Sequence, residues 1–296
     1  MTSSKRPAVG RAAAAMMSAL AVVGCTPLTA FDTLVPKDSG AVLEARDLPY
    51  GPDTRQRLDV YRPLRPSSAA LPMIVFFYGG SWNSGTKSGY SFVGKALAAR
   101  GFVVVIPDYR LVPQVRYPDF VQDGAAAIRL AVQDARTLGA DPNRIVIAGH
   151  SAGAYNGAML AYDARWLGAD QKRVKAFIGL AGPYDFLPFT GAITRAAFSG
   201  STDLRSTQPV SLIRKGAPPA FLATGEQDRT VLPRNSDALA QRLRSEGSVV
   251  VRRSYPNVGH VGILTAIARP FRQRASVLDD MVAFAREVTS GNGRTP

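Results

Sequence analysis

Between residues 144 and 153 the chain reads Arg-Ile-Val-Ile-Ala-Gly-His-Ser-Ala-Gly, an apolar run that passes through Gly149-x-Ser151-x-Gly153 into an Ala-rich stretch. The run suits a buried strand and the stretch after it a helix, so the segment predicts a sharp strand-to-helix turn with Ser151 at its apex. A serine hydroxyl attacks nothing until a base takes its proton, and such a turn lifts it clear of the sheet to where a base can reach. A side chain at 149 or 153 would collide with neighbouring backbone while Ser151 is held at positive φ, so both positions call for glycine. Short patterns of this kind also arise by chance, and only the surrounding sequence gives this one meaning.

The surroundings alternate. Short β-branched or aromatic runs at 73–78, 102–106, 144–148, 174–180, 220–224 and 248–253 predict strands buried on both faces of a parallel sheet. Helical stretches at 91–100, 118–138, 152–162 and 233–246 separate them, and 277–288 closes the domain. Residues 44–50 and 57–61 predict an antiparallel pair at one edge. Residues 183–218, rich in Phe, Pro, Gly and Ser, break the rhythm and read as a small cap over the carboxyl end of the sheet. At 296 residues and 46% hydrophobic content the chain can bury one large core without dividing.

The chain has two histidines. His150 sits beside Ser151 in the turn, where its side chain is expected to point away and support the turn. His260 follows the last strand in the loop Tyr255-Pro-Asn-Val-Gly-His260, placing it after an acid in the chain order serine, acid, histidine. Asp228, in Ala223-Thr-Gly-Glu-Gln-Asp228 directly after a strand, leads as the acid that would orient the imidazole. Glu226 lies closer to the strand end and reads as a solvated turn residue. Asp185, in Gly182-Pro-Tyr-Asp185, is the reserve, with a turn or cap hydrogen bond as its simpler role.

Residues Phe76-Phe-Tyr-Gly-Gly-Ser-Trp82 end the first parallel strand in small residues whose amides can approach a substrate. The segment resembles the His-Gly-Gly-x-Trp loop of esterases, with Tyr78 where that family has histidine. The resemblance implies that the backbone amides of Gly80 and Ser81, joined by that of Ala152, form an oxyanion hole, and that a Tyr78 hydroxyl can replace the loop-shaping hydrogen bond of the histidine. With Pro107-Asp-Tyr-Arg-Leu111 and Tyr117-Pro-Asp-Phe120, these motifs look like the α/β-hydrolase superfamily, in the carboxylesterase branch related to hormone-sensitive-lipase-like and feruloyl-esterase-like enzymes, over residues 41–290. It implies an α/β-hydrolase fold, a mostly parallel central sheet flanked by helices with a small cap segment. It also implies a serine hydrolase of carboxylic esters with Ser151, Asp228 and His260 as catalytic residues and no metal or organic cofactor. The apolar cap residues Phe186, Leu187, Phe189, Ile193 and Phe198 favour short to medium acyl groups. Another acyl hydrolase, such as an arylformamidase or an envelope polysaccharide deacetylase, stays open, as does a silent hydrolase fold that only binds.

Lys5, Arg6 and Arg11 precede an uncharged Ala-rich stretch at 12–23, the layout of a signal peptide. Val22-Val23-Gly24-Cys25 resembles the bacterial lipobox, which implies a cleaved signal at 1–24, lipidation of Cys25 and a lipid-anchored place in the cell envelope. An ordinary secretory signal containing a cysteine, or an uncleaved anchor, are the other readings. Residues 25–40 read as a tether and 291–296 as a tail, so a chain starting at residue 40 is expected to keep its site. Cys25 is the only cysteine, so packing rather than an internal disulfide must hold the fold. Net charge is +14, of which Lys5, Arg6 and Arg11 supply three, so +11 rests on the remainder. Those arginines are scattered with no long run and no zinc or helix-turn-helix pattern, which argues against a nucleic-acid partner. The expected partners are a small ester and, through Cys25, the membrane.

Overall fold

The structure, a computed structural model, describes residues 27–290. Its elements in chain order are α1 (Pro27–Leu34), β1 (Ala41–Pro49), β2 (Arg57–Pro63), β3 (Leu71–Phe77), α2 (Ser91–Ala98), β4 (Val103–Pro107), α3 (Asp119–Gln133), β5 (Ala140–His150), α4 (Ala152–Tyr162), α5 (Ala164–Leu167), β6 (Val174–Leu180), α6 (Ala192–Phe198), β7 (Ala220–Gly225), α7 (Arg234–Ser245), β8 (Val250–Tyr255), α8 (His260–Thr265) and α9 (Val277–Thr289). The strands form one eight-stranded sheet in the order β1-β2-β4-β3-β5-β6-β7-β8. β1 and β2 pair antiparallel, β2 joins β4 antiparallel, and every later pairing is parallel. This is the expected fold, with the antiparallel pair at the expected edge.

The central strands are apolar throughout because helices cover both faces. All of β4, Val103-Val-Val-Ile-Pro107, and all of β7, Ala220-Phe-Leu-Ala-Thr-Gly225, are buried. α4 is buried at every residue, which a helix tolerates only when it is apolar or small all round. α3 buries Phe120, Val121, Gly124, Ala125, Ile128 and Ala131 at helical spacing. Fully burying a Val, Ile or Phe side chain contributes roughly 1.5–3 kcal/mol, so this core dominates the stability of a chain with no internal disulfide.

Several boundaries differ from the sequence reading for local reasons. α3 stops at Gln133 rather than 138, because the chain tightens through Ala135 N–H to the Val132 carbonyl and turns at Gly139, whose φ is +75°. β5 begins at Ala140, where Gly139 accepts from the Leu71 amide and Ala140 pairs with Leu71. β8 begins at Val250, since Ser248 still donates its amide to Leu243 and closes the end of α7.

The segment read as a tether is, over Pro27–Leu34, a helix docked on the domain. Pro27 takes a first helical position, where a missing N–H costs nothing. Phe31 meets the edge of Phe92 at 5.4 Å between centroids and stacks on Phe271 at 5.8 Å. Asp32, buried, accepts from the Phe92 amide at 2.8 Å and the Ser91 hydroxyl at 2.6 Å, so its carboxylate occupies the amino end of α2 and satisfies an otherwise orphaned donor. Cys25 and the rest of the expected signal peptide, and residues 291–296, lie outside the described residues. No helix among the described residues is long and apolar enough to cross a membrane.

Candidate active site

Ser151 joins β5 to α4 with φ 54° and ψ −126°, a conformation that costs a non-glycine residue about 1–3 kcal/mol. The surrounding packing holds it there. The Ser151 amide donates to the Leu180 carbonyl on β6, and the Tyr155 amide returns to the Ser151 carbonyl. A Cβ at Gly153 would stand 2.1 Å from the Phe77 carbonyl oxygen, and one at Gly149 would stand 2.5 Å from that of Gly153, so both glycines are required by close backbone approach.

Asp228 and His260 arrive from the ends of β7 and β8. Their loops are stapled together: the Glu226 amide donates to the Tyr255 carbonyl and the Gln227 amide to that of Val258. His260 Nδ1 lies 2.8 Å from Asp228 Oδ2, and His260 Nε2 lies 2.8 Å from Ser151 Oγ. The second carboxylate oxygen, Oδ1, accepts from the Thr230 and Val231 amides at 2.9 Å each. Burial on its own would raise the Asp228 pKa, but the hydrogen bond from His260 and the amides of Val231 and Thr230 outweigh it and hold the carboxyl below its usual range. An ionised Asp228 accepts at Nδ1–H and leaves Nε2 as the acceptor facing Ser151, which is the tautomer a general base needs.

The other sequence candidates sit apart from this chain of contacts. Glu226 is exposed at the turn, with only its amide engaged by Tyr255. Asp185 is exposed too, and its amide, with that of Tyr184, donates to Asn235 Oδ1 at 3.0 Å. His150 points away from Ser151 Oγ: its Nε2 lies 3.0 Å from the His260 carbonyl oxygen, and its buried Nδ1 has no partner among the described residues. Burial first, then the nearby His260 ring, pushes the His150 pKa down to about 3, so the ring is neutral and Nε2–H is the donor.

The loop after β3 is braced by Tyr78. Its hydroxyl donates to Asp108 Oδ1 at 2.8 Å and accepts from Arg55 Nη2 at 2.8 Å, and its ring stacks on Tyr109 at 4.7 Å. Burial, followed by the charge of Asp108, pushes the Tyr78 pKa well up, which keeps the proton on the donating hydroxyl. The Lys87 amide reaches the same Asp108 oxygen at 2.7 Å. Gly80, Ser81 and Trp82 follow with φ of 130°, 51° and 60°. The Gly80 carbonyl accepts from the Asn83 and Ser84 amides, which closes the turn. The amides of Gly80, Ser81 and Ala152 have no acceptor among the described residues and are available to a ligand beside Ser151. Trp82 is buried, donates its indole N–H to Asn156 Oδ1 at 3.1 Å, and stacks on Phe186 of the 183–218 segment.

Two cavities open on Ser151. One, of about 440 Å³, runs past His260 to Val261, Leu264 and the α1 residues Leu28 and Phe31. The other, of about 380 Å³, runs past Ala152 and Trp82 to Phe186 and Leu187. The sequence reading missed the α1 wall, although Leu28, Phe31 and Val35 have helical i, i+3, i+7 spacing after Pro27. It also missed Asn235, which lies far from its partners in sequence.

Comparison with known proteins places the chain. Esterase LipC of Mycobacterium tuberculosis is 29% identical over 234 residues, 71% of this chain; the match spans a little over half of LipC, 58% of its length. Among solved structures, a truncated carbohydrate esterase from gut microbiota superposes with a TM-score of 0.74 at 20% identity, over 86% of this chain and 99% of that one. EstE1, a thermophilic carboxylesterase cloned from a metagenomic library, gives 0.73 at 21% identity, over 88% and 93%. The BD-FAE family model matches residues 58–243. That match takes in β2 through most of α7, and with it the serine turn and the acid loop, so the chain belongs to the BD-FAE family of α/β-hydrolases.

Proposed function

We propose that this protein is a carboxylic-ester hydrolase that works through an acyl-serine at Ser151. The observation that carries the reading is the unbroken relay of Asp228, His260 and Ser151 with 2.8 Å at both links. His260 Nε2 takes the hydroxyl proton as Ser151 Oγ attacks the ester carbonyl, and the amides of Gly80, Ser81 and Ala152 hold the oxyanion that forms. Collapse of that intermediate breaks the bond to the alcohol, which leaves with the proton from His260. Water then attacks the acyl-serine, giving its proton to His260, and release of the carboxylic acid returns a proton to Ser151. Asp228 stabilises the imidazolium in both halves. Cavities of about 440 and 380 Å³ suit short to medium acyl and alcohol groups.

The test is a fluorophosphonate that labels an activated serine, read by intact mass, together with a panel of p-nitrophenyl esters, aryl formamides and acetylated sugars. Labelling at Ser151 with turnover of simple esters supports the reading. A protein that neither labels nor turns over any ester is a binding fold and not an enzyme.

We further propose that the protein is exported and anchored by lipid on Cys25. The support is the basic start at Lys5, Arg6 and Arg11, the uncharged stretch at 12–23, and Val22-Val23-Gly24-Cys25. Two acyl chains on one residue give stable attachment where a single chain is marginal.

A further inference from the structure

The two cavities meeting at Ser151 differ in charge. The larger one has no Asp, Glu, Lys or Arg among the described residues of its wall, and its far end is made by Leu28, Phe31, Val261 and Leu264. The smaller one is lined by Trp82, Phe186 and Leu187 together with Thr190, Thr194 and Asn235, and by Arg229 and Arg234, with no acidic residue among the described residues of its wall. Both arginines are exposed, and neither side chain makes an ion pair or hydrogen bond with any described residue. The acids nearest in sequence are engaged elsewhere: Asp228, beside Arg229, is buried and held by His260, Thr230 and Val231, and Asp237, three residues after Arg234, pairs with Arg252 at 2.9 Å. Two guanidinium groups with no internal partner therefore face a cavity that ends at the nucleophile.

Chemistry assigns the arms. The alcohol oxygen must receive its proton from His260 Nε2, so the leaving group lies on the His260 side, in the uncharged cavity. The acyl group then lies on the side of Ala152 and Trp82, below the arginines. Resting on the hydrolase reading above, we infer that the preferred substrates are esters of an apolar alcohol with an acyl group that ends in a carboxylate, a half-ester of a dicarboxylic acid, and that Arg229 and Arg234 recognise that carboxylate. Guanidinium groups suit this task because they are always charged and present paired donors that match a carboxylate.

The experiment compares kcat/KM for p-nitrophenyl hemiglutarate, which carries the anion on the acyl arm, with its neutral counterpart p-nitrophenyl valerate, and for 4-carboxyphenyl butyrate, which carries it on the leaving group, with phenyl butyrate. The wild type is expected to favour hemiglutarate over valerate by about tenfold at low salt, the scale of two partly exposed charge pairs, and less as salt rises. Arg229→Gln with Arg234→Gln should bring that ratio to about one, while Arg136→Gln, an exposed arginine on α3's trailing turn, leaves it at the wild-type value. The anion on the leaving group should bring no preference. Equal rates for the two acyl arms in the wild type, a ratio that survives the double substitution, or an equal fall with Arg136→Gln each overturn the inference and leave the hydrolase reading standing. Turnover of none of these esters overturns the hydrolase reading, and this inference with it.

Discussion

The Nε2 of His150 donates to the carbonyl oxygen of His260 across 3.0 Å, so the residue beside the nucleophile holds the backbone of the proposed base. Burial keeps the ring neutral. Its folded pKa of about 3 lies below the ordinary histidine value, so the unfolded chain binds the extra proton between about pH 6.5 and 3, and stability is lost as pH falls through that window. Between pH 7.5 and 4.5 this one group should remove about 2–3 kcal/mol. His150→Gln keeps a donor without a titrating ring. Urea unfolding at the two pH values should show a smaller acid loss in the variant, and an equal loss in both proteins would contradict this role.

Ser151→Ala should lower kcat for p-nitrophenyl butyrate by roughly 10⁴-fold or more while the far-ultraviolet circular dichroism and the unfolding midpoint stay near wild type. Alanine at φ 54° carries the same backbone strain as serine, so the fold has no new cost to meet. A variant with more than a tenth of wild-type activity would remove the serine from the mechanism.

Asp228→Asn should cost about 10³- to 10⁴-fold in kcat, because an amide does not fix the required tautomer and cannot stabilise the imidazolium. Asp185→Asn should stay within about twofold, since that side chain is exposed and away from His260. The reverse pattern in the same ester assay would move the acid to the loop after β6.

Phe31→Ala removes a wall of the leaving-group cavity and two ring contacts. It should destabilise the protein by about 1–3 kcal/mol and lower kcat/KM more for bulky alcohol groups than for methyl esters. A chain starting at residue 40 also loses the Asp32 cap on α2 and should show a lower melting temperature, with its remaining activity shifted toward small alcohols. Thermal melts and an alcohol-size series check both; an unchanged series would mean that α1 is only a spacer.

Expressed with its own leader in a bacterium, the protein should fractionate with membranes, and Cys25→Ser should release it or leave an unprocessed precursor. Recovery of the wild type as a soluble, unlipidated chain by intact mass would end the lipid-anchor proposal without touching the catalytic one.

The sheet was legible because strands covered on both faces need unbroken apolar runs, as Val103 to Ile106 show. Ser151, Asp228 and His260 could be singled out because parallel strands all end on one side, so residues just past three strand ends are brought together. The helix at Pro27–Leu34 escaped notice because its buried side has few apolar residues, and its partners, Phe92 and Phe271, are distant in sequence. The flanking Pro36, Ser39 and Gly40 gave the segment the composition of a linker. Arg229 and Arg234 were lost among 36 basic residues, and only the fold sets them at a cavity mouth.

The stacking of Phe31 on Phe271 ties a wall of the site to a segment 240 positions later in the chain. During synthesis the first of these rings emerges long before the second exists, and His260 also comes late. A ribosome-bound fragment that ends before residue 260 therefore has neither the proposed base nor a finished pocket, and the proposed hydrolysis must wait until His260 has been made and has packed behind the serine turn.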